Sequence, residues 1–239
     1  MIQARPARWA KRLFDPYLNR LLKRHFHGIH LYGDLPEPHP ALPLLLIPNH
    51  STWWDGFLAY FLNLRRFGRP FYLMMLESEL SQYRFFSRLG AYSIDPGQPK
   101  SVVASLQYTA KLLERSPAPL VSIFPQGELL PWGKRPLNFK RGIARVGEYY
   151  PGKMNLLSLA IRCEHLGEQR PEAFFLFGEN RLCDAANFPG IEELEKNEER
   201  LLEELSRRIA NREKGEPLLR GRLSLNRKVD LFFGKTAAR

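Results

Sequence analysis

Apolar residues recur along the chain in two alternating rhythms: short unbroken runs, and longer stretches in which they return every three or four positions. The runs Ile29 to Tyr32, Leu42 to Ile47, Phe71 to Met75, Ala91 to Ile94, Leu120 to Phe124, Leu156 to Cys163 and Ala173 to Phe177 predict strands. The second rhythm predicts helices over Gly56 to Arg66, Leu80 to Leu89, Ser101 to Arg115, Arg141 to Tyr149 and Ile191 to Arg212. Such alternation predicts an α/β fold with a single mixed sheet flanked by helices. The last helix bears Glu192, Glu193 and Glu195 near its start and Arg207, Arg208 and Arg212 near its end, which complements its dipole and reads as a solvated face.

Ahead of the first strand, Arg5, Arg8, Lys11, Arg12, Arg20, Lys23 and Arg24 intermingle with Trp9, Leu13, Phe14, Tyr17, Leu18, Leu21 and Leu22. Asp15 suits an N-cap and Pro16 a first helical position, so the pattern predicts two short N-terminal amphipathic helices. Residues 1–27 thus form a basic amphipathic unit before an α/β domain of residues 28–239. Helices of this kind suit the plane of an anionic membrane. The competing reading packs the apolar stripe on the core and leaves the basic face solvated. The tail from Arg220 to Arg239 repeats the mixture and is expected to form a second interfacial patch or to close over the core.

At 239 residues and 44% hydrophobic content the chain can bury one substantial core. No apolar run approaches the roughly twenty residues that span a bilayer, and no signal-peptide core follows the basic N-terminus. The net charge of +11 attracts polyanions: lipid headgroups, nucleic acid or phosphate-bearing substrates. Cys163 and Cys183 show neither disulfide-framework nor zinc spacing, which fits a reducing cytosolic environment, and no metal site is expected. His25, His27 and His30 cluster without Cys or acidic partners at motif spacing, and read as solvated or interfacial. Neither a GxSxG elbow nor a Walker loop occurs, which argues against serine hydrolases and nucleotide hydrolases.

The chemistry concentrates at Asn49-His50-Ser51-Thr52-Trp53-Trp54-Asp55. A histidine takes a proton from a hydroxyl near neutral pH when a carboxylate fixes its tautomer and stabilises the imidazolium. Positions five apart fall on different faces of a helix, so His50 is placed on the turn before a helix, with Asp55 reaching back from its first turn. Thr52 and Asp55 also read as a capping box in which Asp55 only closes the helix start. A second segment, Phe124-Pro125-Gln126-Gly127-Glu128, follows an apolar run and reads as a strand emptying into a site loop. Gly127 there permits close backbone approach to a ligand.

Together these segments resemble the glycerophospholipid acyltransferase family, of the 1-acylglycerol-3-phosphate type. Its members carry HxxxxD and, some seventy residues on, a block close to FPEGTR. Gly90-Ala91-Tyr92-Ser93-Ile94-Asp95 resembles the family's intervening block, and Asn155 to Ile161 its final apolar one, so the resemblance covers about Leu42 to Ile161. It implies a catalytic His50 and Asp55 and a substrate-binding set of Gly90, Asp95, Phe124, Pro125, Gln126, Gly127 and Glu128. Three departures stand out: Gln126 replaces a glutamate, while Leu129 and Pro96 replace arginines that the family associates with the acceptor phosphate. Lys134, Arg135, Lys140 and Arg141 are the candidates to supply that charge instead, or else the acceptor is not a simple lysophosphatidate.

The resemblance implies transfer of a fatty acyl group from acyl-coenzyme A or acyl carrier protein to a lysophospholipid or related lipid hydroxyl. No cofactor is called for, since the thioester is a co-substrate. The expected partners are the donor, the lipid acceptor and an anionic membrane surface, with no nucleic acid; the expected location is cytoplasmic, peripheral to the inner face of the membrane. Amides near Gly127 or at the start of the helix after His50 are expected to steady the oxyanion. Trp53, Trp54, Phe57 and Tyr60 are candidates for an acyl channel. Two other classes remain open at this point: a hydrolase using the same His/Asp pair on water, and a non-catalytic basic membrane or nucleic-acid binder.

Overall fold

A computed structural model of the protein describes residues 1–222, whose strands form one mixed sheet. In chain order these are β1 (Gly28–Tyr32), β2 (Leu44–Pro48), β3 (Phe71–Leu76), β4 (Ala91–Ile94), β5 (Leu120–Ser122), β6 (Met154–Glu164), β7 (Glu172–Phe177), β8 (Arg181–Cys183) and β9 (Glu216–Arg220). Across the sheet they run β4-β3-β5-β2-β6-β7-β1-β9, with β8 added to β6. The five strands from β4 to β6 are parallel; β7 pairs antiparallel with β6, β1 parallel with β7 and β9 antiparallel with β1. β2 lies at the centre with all five residues buried, which is why its sequence is an unbroken apolar run.

The helices are α1 (Arg8–His25), α2 (Asp55–Leu62), α3 (Glu77–Gln82), α4 (Pro99–Leu113), α5 (Gly142–Tyr149) and α6 (Ile191–Ala210). Two apolar clusters cover the two faces of the sheet. Residues of α1 and α2 fill one, and residues of α4, α5 and α6 fill the other. The expected α/β architecture is therefore present, with all seven anticipated strands. β8 and β9 are additional: one has three residues, and the other is a border strand carrying Pro217 and charges, so neither shows an apolar run.

Several boundaries differ from expectation. α1 is one helix, not two, and runs through Pro16. Its stripe of Ala10, Phe14, Leu18 and Leu22 is buried, and that packing outweighs a proline cost of about 3 kcal/mol. Asp15 does not cap: its carboxylate accepts the Tyr60 hydroxyl at 2.8 Å. The expected helix over Leu80 to Leu89 is divided at Tyr83 into the end of α3 and a 3₁₀ turn, Arg84–Leu89. The helix expected from Gly56 ends α2 at Leu62 and finishes in a π-helical turn, Asn63–Phe67. Of the basic tail, Leu223 onward lies outside the described residues.

The N-terminal residues cover the border strand β4. Ile2 exchanges bonds with Ser93, its N–H reaching Ser93 Oγ at 2.6 Å and its carbonyl taking the Ser93 N–H at 2.9 Å. Arg5 and Ala7 donate to the carbonyls of Ser87 and Arg88. A sheet edge that would otherwise invite strand pairing is thereby occupied.

Candidate active site

β2 ends at Pro48, and the next residue continues its pairing through a side chain. Asn49 Nδ2 donates to the Ile161 carbonyl at 3.0 Å and Asn49 Oδ1 accepts the Ile161 N–H at 2.7 Å, which ties the turn to the end of β6. His50 follows on that turn, and Asp55, 1% exposed, opens α2. Asp55 Oδ2 accepts from the N–H of Ser51 (2.7 Å), the N–H of Thr52 (2.8 Å) and His50 Nδ1 (3.0 Å), while Oδ1 accepts the Thr52 hydroxyl at 2.6 Å. One carboxylate thus closes the helix start and orients the imidazole, so the capping and orienting geometries coexist. A carboxylate can only accept, so Nδ1 carries the hydrogen and Nε2 presents the lone pair.

The second motif comes to the same place. β5 lies beside β2, and the loop beyond it runs against the His50 turn. The His50 ring stacks on Phe124 with centroids 4.2 Å apart. Gln126, 1% exposed, accepts the His50 backbone N–H through Oε1. The amide performs the accepting task of a carboxylate without burying a charge, which gives this departure from the family a physical sense. Gly127 turns the loop with φ at +71°, and its N–H bonds the Phe124 carbonyl at 3.1 Å. Pro125 is buried and its carbonyl accepts the Lys140 N–H at 2.8 Å, closing the loop base; Lys140 Nζ pairs with Glu128 at 3.4 Å on the surface.

Three of the amides expected to steady an oxyanion are engaged within the protein. Those of Ser51 and Thr52 serve Asp55, and that of Gly127 serves Phe124. Gly90 and Asp95 are not brought to His50. Gly90 lies at the amino end of β4, opposite to the end that bears the turn, where an added Cβ would stand 2.0 Å from the Phe71 carbonyl oxygen. With φ at +112° it answers a packing demand. Asp95 is at the correct end of the sheet but three strands from β2, about 14 Å at ordinary strand spacing. It accepts the Gly97 N–H at 3.0 Å.

The loop after Glu128 folds back over the turn, with the Leu130 N–H donating to the His50 carbonyl at 3.0 Å. Lys134, Lys140 and Arg141 are exposed; Arg135 is half-buried and lies over the Trp132 ring at 5.7 Å. Arg162 lies over the same ring at 3.6 Å, paired with Glu164. Trp132 itself donates to the Ile161 carbonyl at 3.3 Å. Sequence reasoning missed Trp132 and Arg162. The one signal was an arginine directly after the apolar run that ends at Ile161.

Cys163 lies near Asp55, and burial, reinforced by that carboxylate, pushes its thiol up to about 12. It stays protonated at neutral pH and is unsuited to carry an acyl group. Among the channel candidates, Tyr60 is buried and bonded to Asp15, and Trp54 packs edge-on against Phe26, whereas Trp53 is exposed beside Phe57. Glu198 of α6, which the charge run at the two ends of that helix did not include, has no exposed surface. It occupies the buried stripe between Leu194 and Leu202, four positions from each, a spacing already visible in the sequence.

Comparison with known proteins gives the family and the fold. None of the curated proteins matches the chain. Among solved structures, the crystal structure of the 1-acyl-sn-glycerophosphate acyltransferase PlsC from Thermotoga maritima is similar, with a TM-score of 0.56 over 83% of this chain and 79% of that one. Sequence identity is 16%, so the likeness concerns the fold. The model of the family described as Acyltransferase matches residues 29–161, more than half of the chain, and ends at the residue that Asn49 clamps. The chain belongs to the acyltransferase family.

Proposed function

We propose that the protein moves a fatty acyl group from a thioester donor, acyl-coenzyme A or acyl carrier protein, to the hydroxyl of a lysophospholipid or related lipid. The observation that carries this reading is the His50 Nδ1–Asp55 Oδ2 contact of 3.0 Å on a turn held by the Gln126 loop. Nε2 takes the proton of the acceptor hydroxyl while its oxygen attacks the thioester carbonyl. The C–O bond forms, the C–S bond breaks, and the proton passes from the imidazolium to the leaving thiolate. A thioester is electrophilic enough that positioning and one base suffice, without a covalent acyl-enzyme. Ser51 is a poor nucleophile here, because its hydroxyl oxygen accepts from Asn49 Nδ2 at 3.1 Å and it adjoins the base in sequence.

The acceptor's anionic group is assigned to the cations of the folded-back loop, Lys134, Arg135, Lys140 and Arg141, and to Arg162 beside them. The loop meets the His50 turn through the Leu130 N–H, and Arg135 and Arg162 share the Trp132 ring, whereas Leu129 and Pro96 carry no charge. PlsC acts on 1-acyl-sn-glycerophosphate. For this chain another lysolipid, a glycosylated lipid or an amino-lipid hydroxyl is an equal candidate.

No helix among the described residues is long and apolar enough to cross a membrane. We assign work at the surface of an anionic membrane, at its cytoplasmic face. On α1, Trp9, Leu13 and Tyr17 are exposed beside Arg8, Arg12, Arg20, Lys23 and Arg24. An aromatic path, Trp9 to Phe85, Phe86, Phe57 and Trp53, leads from there to a residue three positions past His50. That arrangement supports an interface which brings a lipid hydroxyl to the base.

The test follows free thiol released from palmitoyl-coenzyme A, with and without a panel of lysophosphatidate, lysophosphatidylethanolamine, a glycolipid and an amino-lipid. Acceptor-dependent release that disappears in His50→Ala is expected. Equal release without acceptor would make the protein a hydrolase, and unchanged activity in His50→Ala would remove the base from the mechanism.

A further inference from the structure

One turn of α6 touches both halves of the site. Glu195 accepts the N–H groups of Asn138 (2.9 Å) and Phe139 (3.1 Å), and Glu199 accepts that of Leu137 (3.2 Å). Two carboxylates therefore hold the loop that bears Lys134, Arg135 and Lys140. Between them Glu198 points inward, 0% exposed. It faces the N–H of Asn49, the residue before His50, together with the Ser158 hydroxyl and the Leu159 N–H on β6 and the Arg135 guanidinium on the loop. None of these meets either carboxyl oxygen in full hydrogen-bond geometry. An ionised carboxylate in such a place is poorly compensated, whereas a neutral acid has far less to satisfy. Burial accordingly pushes the Glu198 carboxyl up to about 8, although the Asn49 amide, Arg135, Ser158 and the Leu159 amide pull it down.

We propose that Glu198 is a positioning residue for acyl transfer, acting in its uncharged form: facing both the Asn49 N–H and the Arg135 guanidinium from α6, it fixes the direction in which the imidazole meets the acceptor. The proposal rests on His50 being the base. When Glu198 ionises, the Asn49 amide, the Ser158 hydroxyl and Arg135 close on the new charge. The turn and the cationic loop then shift together, and the imidazole leaves its working orientation.

The experiment follows kcat and KM for acceptor-dependent thiol release between about pH 6 and about pH 9. It uses palmitoyl-coenzyme A and the most active acceptor of the panel, for wild type, Glu198→Gln and Glu198→Ala, with His50→Ala as control. Wild-type kcat is expected to fall as pH rises through about 8, approaching tenfold per unit. Glu198→Gln, a neutral isostere, keeps kcat near the wild-type value at pH 7 and loses that fall. Glu198→Ala lowers kcat about tenfold at pH 7 with KM changed less than about twofold. A wild-type profile that stays flat to pH 9 overturns the proposal before any variant is made, and so does a Gln variant that retains the fall. An active His50→Ala enzyme is a separate result: it removes the base, and the positioning role with it.

Discussion

Asp55 holds four groups in register with two oxygens: the imidazole, two amides and one hydroxyl. Asp55→Asn keeps the size but not the charge, and it no longer enforces the Nδ1–H tautomer. Its kcat is expected to fall by about 10²–10⁴, while the far-ultraviolet circular dichroism spectrum stays that of the wild type. A spectrum-matched Asn variant with unchanged kcat would remove Asp55 from catalysis. Gln126→Leu leaves the His50 N–H without its acceptor in a buried place, and chemical denaturation is expected to show a loss of about 1–3 kcal/mol. At this scale His50 and Asp55 were readable in the sequence because their interaction spans five positions. Arg162 and Glu198 were not, because only the folded sheet brings them to the His50 turn.

Among the elements, α1 best separates local preference from packing. Pro16 and Asp15 spell a helix start, yet Phe14, Leu18 and Leu22 bury one continuous stripe across them. Pro16→Ala restores a backbone donor at an exposed position and is expected to raise stability by about 1–3 kcal/mol. A loss would mean that the proline bend is needed for packing. The other side of α1 carries the proposed lipid contact. Replacing Trp9, Leu13 and Tyr17 together by Ser is expected to abolish cosedimentation with phosphatidylglycerol vesicles while leaving the melting temperature within a few degrees. Unchanged sedimentation would place the membrane contact elsewhere. The buried runs of β2, β6 and β7 announce themselves because parallel or central strands are apolar on both faces. β9 and β8 owe their pairing to partners distant in sequence, and nothing in Glu216–Arg220 reports that in advance.

For the whole molecule, a buried acid facing the active turn links stability to pH. The Glu198 carboxyl lies at about 8 in the folded protein against 4.5 in an ordinary peptide, so between those values the folded state binds the proton that the unfolded state has lost. Its contribution is fully present below about pH 4.5, declines as pH rises, and is gone above about pH 8. Glu198→Gln has no such proton to lose, and its melting temperature should match the wild type near pH 4.5 and exceed it increasingly toward pH 8. A constant difference across that range would deny the buried acid. The proposed reaction turns on the His50 imidazole activating an incoming lipid hydroxyl. Its most direct measurement is the mass of acylated lipid formed per enzyme at saturating thioester, His50→Ala against wild type. A loss of about 10²–10⁴ is expected in the variant with the fold intact, whereas product formation at the wild-type rate would leave His50 no part in the reaction.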